Sequence, residues 1–169
     1  MTQLDDFRSA KNEFFASPNS PIEDFEGFQG LAYYPESDRL RFVLDLEPSD
    51  GGEVTIGTSD GHNRTYQRAG VVRFLVDGSE SQLTLLNHIG DDGYFLPFRD
   101  GTSGKTTYGA GRYLDIESAE NGQVSVDFNL AYNPYCAYSD AYSCPLPPTE
   151  NWLTVPIEAG ERSYGSVAG

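Results

Sequence analysis

Positive charge is scarce in this sequence of 169 residues. Lysine and arginine together number 11 against 26 aspartates and glutamates, so the formal net charge at pH 7 is −15. Phosphate backbones require cationic side chains to neutralise them, and anionic membrane surfaces attract the same side chains. The charge therefore excludes nucleic acid as an expected partner, and it disfavours a membrane surface for the same reason.

Lysine is the scarcer of the two bases, with only Lys11 and Lys105 beside nine arginines. A surface this acidic repels itself in dilute buffer. At about 1 M salt the Debye length is only about 3 Å, so the repulsion is largely screened. An acidic, lysine-poor and still globular composition resembles proteins of salt-accumulating haloarchaea. The charge therefore predicts a halophilic protein, with an ordinary acidic protein as the alternative.

Long apolar runs are absent as well. No run approaches the about 20 residues that a transmembrane helix needs, and the opening MTQLDDFRSAKNEFF has early acids and no apolar centre. We therefore expect neither a membrane span nor a secretory signal, which makes the cytoplasm the default compartment. The length predicts one domain, 1–169.

Cysteine is limited to Cys136 and Cys144, eight positions apart. This spacing is not a CxxC motif, so it gives little support to a redox motif or a zinc knuckle. A zinc site would need His62 and His88 as further ligands, and a disulfide would be disfavoured in the cytosol. Buried free thiols are the interpretation that we prefer among these three.

Alternation of apolar and polar residues is the most abundant pattern, and it predicts half-buried antiparallel strands. The strands are predicted at 39–47, 53–57, 71–77, 81–87, 94–98, 123–129 and 153–158. Turn clusters rich in Gly, Asp, Ser and Asn separate most of them. The sequence thus predicts a mainly β fold, an antiparallel meander over 22–161 that closes into a barrel or a sandwich. The tail 162–169 is expected to fray.

One helix is predicted at 2–15, before Pro18 and Pro21. Leu4, Phe7, Lys11 and Phe14 fall near one face of it. We expect this helix to pack its phenylalanines on a sheet, and a helix that binds a partner is the alternative.

Two dense stretches dominate the second half of the chain: FRDGTSGKTTYGAGRYLD at 98–115 and DFNLAYNPYCAYSDAYSCPLPPTEN at 127–151. Together with FQGLAYYP at 28–35 and IEAGE at 157–161, they resemble the family catalogued as domain of unknown function 1684. The resemblance extends from 11 to 164. It implies a soluble, single-domain protein of bacteria and archaea, and it carries over no catalytic residue.

The candidate site is drawn from these stretches, where carboxylates, amides and tyrosines stand among glycines and prolines. The predicted ligand-binding residues are Tyr108, Arg112, Asp127, Asn129, Tyr132, Asn133, Glu150 and Asn151. No metal site or catalytic residue is predicted, and no cofactor is identified.

Three of these side chains, Arg112, Asp127 and Glu150, are expected to converge on one concave surface. The meeting point would lie near Tyr132 and Asn133. A guanidinium can hold an anionic ligand bidentately or pair with a carboxylate of the protein, and structural pairing is the simpler interpretation for Arg112.

The sequence favours a pocket for a small polar ligand, in an enzyme or a sensor, over a second class of function. That alternative is a protein–protein interaction module that uses the tyrosine-rich segment 132–142. A concave cavity would favour the pocket, and a flat exposed tyrosine patch would favour the module. The sequence decides neither the oligomeric state nor whether the protein is an enzyme.

Overall fold

The computed structural model describes residues 3–49, 51–87, 92–139 and 141–164. Within these ranges the chain is mainly β, as predicted. Its elements are α1 (Gln3–Phe15), β1 (Arg41–Asp45), β2 (Glu53–Gly57), β3 (Asn63–Val76), β4 (Ser79–Asn87), β5 (Tyr94–Phe98), β6 (Arg112–Ile116) and β7 (Gln123–Asp127). None of the helices in the described part is long and apolar enough to cross a bilayer.

The helix α1 confirms the element predicted at 2–15, with Thr2 outside the described residues. The side chains of Leu4 and Phe15 are buried. The Ser17 hydroxyl donates to the Phe14 carbonyl at 2.6 Å, which satisfies one of the acceptors that a helix end leaves unpaired.

The strands form two antiparallel sheets. One has five strands in the order β2-β3-β4-β5-β6, and the other pairs β1 with β7. The β3–β4 hairpin turns at Asp77 and Gly78, whose φ angles of 48° and 83° suit a type I′ turn. Sequence alternation and turn residues thus account for most of the meander.

The two sheets share one hydrophobic core. It is built from Val124 and Val126 of β7, with residues of β3 to β6 such as Phe74 and Leu85. Phe42 of β1 packs against it, 5.2 Å between ring centroids from Phe74. This arrangement is consistent with the sandwich alternative. A closed barrel is not found in the described residues, since β2 and β6 end the five-stranded sheet.

Several predicted bounds differ from the observed ones, and two of the differences have identifiable reasons. β3 begins at Asn63 rather than Val71, because its first half pairs with β2 across a hairpin. The segment 153–158 is not a regular strand, although Leu153 and Ile157 pack inward, and Pro156 within it has no N–H to donate. In the tail, the amides of Arg162 and Ser163 bond backbone carbonyls, while 165–169 lies outside the described residues.

The five-stranded sheet is apolar on both faces. Successive residues in a strand point to opposite faces, and in β4 Leu85 joins the shared core while Leu86 belongs to a second cluster. The second cluster contains Val54, Ile56, Tyr66, Leu86, Phe95, Tyr113 and Cys144. This outer face of the sheet carries the candidate site.

Candidate functional site

A groove of about 890 Å³ runs between α1 and the outer face of the five-stranded sheet. Eight of its sixteen lining residues are aromatic, and we call it the aromatic groove. It is lined by Phe7, Ala10, Lys11 and Phe14 of α1, by Arg64, Tyr66, Phe95, Tyr113 and Asp115 of the sheet, and by Tyr132, Pro134, Tyr135, Tyr142, Ser143, Cys144 and Pro145 of the later segment.

The floor of the aromatic groove is a row of rings from three strands. The Tyr66 and Phe95 centroids are 5.8 Å apart, and the Phe95 and Tyr113 rings meet edge to face at 4.8 Å. Such tilted and edge-to-face contacts are the favoured aromatic geometries. The Tyr113 hydroxyl donates to the Pro145 carbonyl. Burial raises the pKa of Tyr113 far above its usual value, so this hydroxyl stays neutral.

The α1 wall is where the expected helix packing was wrong. Phe7 and Phe14 remain 45% and 41% exposed and line the groove, with Ala10 between them on the same face. Of the helix phenylalanines only Phe15 is buried, and its ring lies 4.9 Å from that of Tyr138. The apolar face that the sequence predicts therefore exists, but most of it stands away from the sheet.

The opposite wall is formed by the tyrosine-rich segment. Tyr135 and Tyr142 pack edge to face at 5.1 Å and are 40% and 38% exposed. Tyr132 instead turns inward, donating its hydroxyl to Asp115 at 2.7 Å. Burial, followed by this hydrogen bond, raises the pKa of Tyr132 well above its usual value. The tyrosine-rich segment is therefore one wall of the aromatic groove and not a separate surface.

A buried carboxylate ties the two walls together. Glu161 is 1% exposed, and its oxygens accept from Lys11 of α1 and from the Tyr138 hydroxyl. The backbone amide of Asn133 reaches the same carboxylate at 3.3 Å. The Lys11 ammonium also lies 5.1 Å from the Tyr132 ring centroid, a cation–π distance. Because Glu161 contacts both walls, it sets the spacing of the groove.

The three charged side chains that we expected to converge do not contact one another. Arg112 is fully buried and lies 3.5 Å from Asp100, with backbone carbonyls of the 157–161 segment as its other acceptors. Asp127 pairs with Arg41 at 3.1 Å. Glu150 pairs with Arg68 at 2.9 Å. The predicted convergence is wrong because each residue has its own partner.

The glycine before Arg112 explains why an arginine can sit so deep. Gly111 has a φ of 106°, and a Cβ there would lie 2.5 Å from the Phe98 carbonyl oxygen. The backbone at Gly111 therefore passes the end of β5 at a distance that only glycine permits. Burial lowers the pKa of Arg112, and the Asp100 charge opposes that shift.

The predicted asparagines hold backbone groups. The Asn151 amide bonds both the N–H and the carbonyl of Thr84, at 2.8 and 2.9 Å. Asn129 does the same for Ser37, at 2.8 and 2.9 Å. Asn133 donates to the Arg162 carbonyl at 3.0 Å. These side-chain amides form backbone hydrogen bonds of the kind that a neighbouring strand would form. They thereby attach irregular segments to the sheets.

Of the eight predicted ligand-binding residues, Tyr132 alone lines the aromatic groove. Tyr108 lies behind it, with its hydroxyl 3.7 Å from Cys136 Sγ. The groove residues on α1 and on the sheet were not among the predicted site residues. The signal for the sheet residues was the near-continuous apolar character of YFLPF and RYLDI, which is typical of strands covered on both faces.

The two cysteines are free thiols in the structure. Cys144 is buried in the groove floor and its Sγ accepts from the Cys136 amide at 3.3 Å. Burial raises the pKa of Cys144 to about 11. Among the described residues no cluster of three His, Cys, Asp or Glu could hold a metal ion. His88, one of the ligands that a zinc site would need, lies outside them.

We expect iodoacetamide at about pH 8 to alkylate Cys136 well before Cys144, because only a thiolate attacks and burial keeps Cys144 protonated. Peptide mass spectrometry after timed quenching gives the order, and urea-unfolded protein serves as the control in which both react. Equal rates in the folded protein, or a disulfide in protein prepared without reductant, would contradict this assignment.

Comparison with known proteins places the chain in a family. The family described as "Protein of unknown function (DUF1684)" matches residues 26–162, and the chain belongs to it. The solution NMR structure of an uncharacterised protein of Haloarcula marismortui is similar, with 36% sequence identity and a TM-score of 0.72. The alignment covers 95% of this chain and 92% of that one. Among curated proteins no significant match is found.

Proposed function

We propose that the protein binds a small molecule with a flat, apolar body in the aromatic groove. The observation that carries this proposal is the row of aromatic side chains around an open space of about 890 Å³. Ligand pockets are concave, mostly apolar and about 300–1,000 Å³ in size. The sequence favoured a polar ligand, and the lining of this groove supports one whose polar groups are few.

The exposed rings supply the driving force. Phe7, Phe14, Tyr135 and Tyr142 each keep about two-fifths of their surface open to solvent. Removing apolar surface from water contributes about 25 cal/mol per Å². Aromatic rings also offer stacking contacts beyond the area that they bury. A planar ligand lying between α1 and the 132–145 segment would be stabilised both by the burial of apolar surface and by stacking on the rings.

The alternative of a protein-binding tyrosine segment uses the same wall. Tyr135 and Tyr142 pair with each other, whereas Tyr132 and Tyr138 bond carboxylates inside the protein. A flat tyrosine patch would suit a protein partner, but these rings border a concavity. The geometry therefore supports a small-molecule site more than a module for protein partners.

The groove can be tested with N-phenyl-1-naphthylamine, a neutral aromatic probe whose fluorescence rises in apolar sites. We expect saturable binding to the native protein in about 2 M KCl. Ala10→Trp should reduce the affinity at least about tenfold, because its indole would fill the space between Phe7 and Phe14, and a tenfold change is only about 1.4 kcal/mol.

Ser9→Trp is the matched control, since Ser9 is exposed on the same helix and does not line the groove. It should leave the affinity within about twofold. Binding that is absent in the native protein, or equal in both tryptophan variants, would count against the proposed site.

We also propose that the protein is adapted to high salt and works in a cytoplasm that accumulates it. The support is the net charge of −15 with only two lysines. The similarity to a protein of Haloarcula marismortui adds to it.

A further inference from the structure

Arg64 is an unusual residue in the lining of the aromatic groove. It lies on β3, two positions from the floor residue Tyr66, and its side chain is exposed. One guanidinium N–H donates to the Ser143 carbonyl at 3.1 Å. Within the described ranges Arg64 contacts no carboxylate, in a chain that has 26 acids for 11 bases. No carboxylate in the described part of the chain therefore pairs directly with its positive charge.

The other charged residues of the groove are differently placed. Lys11 is paired with buried Glu161. Asp115 lies on β6 and accepts a hydrogen bond from the Tyr132 hydroxyl. Arg64 lies on β3, and the sheet order puts three strand spacings between β3 and β6. At about 4.8 Å per spacing the two strands are about 14 Å apart. Arg64 is thus the charged lining residue at the β3 end of the groove, and the aromatic floor separates it from the Asp115 carboxylate.

We propose that the ligand of the aromatic groove is an aromatic or similarly apolar acid whose oxyanion pairs with Arg64. This inference rests on the function proposed above. A guanidinium presents five N–H donors in a planar fork, and Ser143 occupies one of them. The remaining donors match a carboxylate or a sulfonate, which guanidinium binds bidentately. The apolar body would then lie over Tyr66 and Phe95.

High salt favours this kind of recognition over long-range attraction. A chain of net charge −15 repels a free anion in dilute solution. At about 2 M KCl the Debye length is below about 3 Å, so only charges in contact still interact. A bidentate pair with Arg64 is such a contact, and it would survive where steering by distant charges does not.

Two probes with one aromatic body test the inference. 1-Anilinonaphthalene-8-sulfonate carries a sulfonate, and N-phenyl-1-naphthylamine is its neutral counterpart. In about 2 M KCl we expect Arg64→Gln to weaken binding of the sulfonate about tenfold, since charged hydrogen bonds are the stronger class. Binding of the neutral probe should change by less than about twofold.

Arg39→Gln is the matched control, because it removes the same charge from an exposed residue outside the groove. It should leave both affinities unchanged. Equal weakening of the sulfonate by both variants, or none by Arg64→Gln, would overturn the role of Arg64 while the groove itself stands. Failure of both probes to bind the native protein would instead overturn the groove as a site.

Discussion

Asp100→Asn is expected to lower the free energy of unfolding by about 3–5 kcal/mol, the range for removing one partner of a buried ion pair. The Arg112 side chain is completely buried, and Asp100 provides its carboxylate. The same carboxylate accepts the Ile157 amide at 2.6 Å and the Thr102 hydroxyl at 2.8 Å. An asparagine would leave the guanidinium charge without a counter-ion. Its NH₂ group, itself a donor, would also replace an oxygen that now accepts from other donors.

Urea unfolding in about 2 M KCl measures this cost, with an unchanged slope showing that both variants unfold the same structure. Asp127→Asn is the matched control, because Asp127 forms its pair with Arg41 at the surface. Exposed pairs contribute about 0–1 kcal/mol. Similar losses in the two variants would show that Asp100 does not have the structural role assigned to it.

The melting temperature is expected to rise by more than about 10 °C between about 0.1 M and 2 M KCl. A rise of 10 °C corresponds to about 2.5–5 kcal/mol for a chain of this size. The physical reason is the charge of −15, whose mutual repulsion opposes the compact state until salt screens it. Calorimetry or circular dichroism over a series of KCl concentrations gives the curve.

Sucrose at matched osmolality separates screening from general stabilisation, since excluded osmolytes favour burial without screening charge. We expect sucrose to produce a much smaller rise than KCl. A melting temperature that stays flat or falls with KCl would rule out the salt-adapted interpretation.

The parts of the fold that sequence predicted are those set by neighbours in the chain. Alternation in EVTIG and the short apolar run YFLPF predicted two strands at their observed bounds, the first buried on one face and the second on both. The turn at Asp77 and Gly78 follows from residues that accept positive φ. These signals act over a few residues and need no knowledge of the rest of the molecule.

The groove could not be predicted because distant residues determine it. The pattern of Phe7 and Phe14 shows an apolar face, but it does not show whether the face is covered. That depends on Lys11 meeting Glu161, 150 positions later. Likewise, the sequence offered several carboxylates for Arg112. The pairing of Phe98 with Arg112 between β5 and β6 brings Asp100, two residues after Phe98, close to it. No local sequence pattern shows which charged side chains from distant segments will pair.

The position of residues 157–161 in the chain has a consequence for biosynthesis. These residues supply three backbone carbonyls to Arg112 and, through Glu161, the carboxylate for Lys11. On the ribosome, α1 and the strands β1 to β7 emerge before them. Until they leave the exit tunnel, Arg112 lacks those carbonyl acceptors and α1 lacks the carboxylate that ties it to the opposite wall. The contacts that hold α1 to the opposite wall of the aromatic groove are therefore completed last, and a chain truncated before Ile157 would lack them.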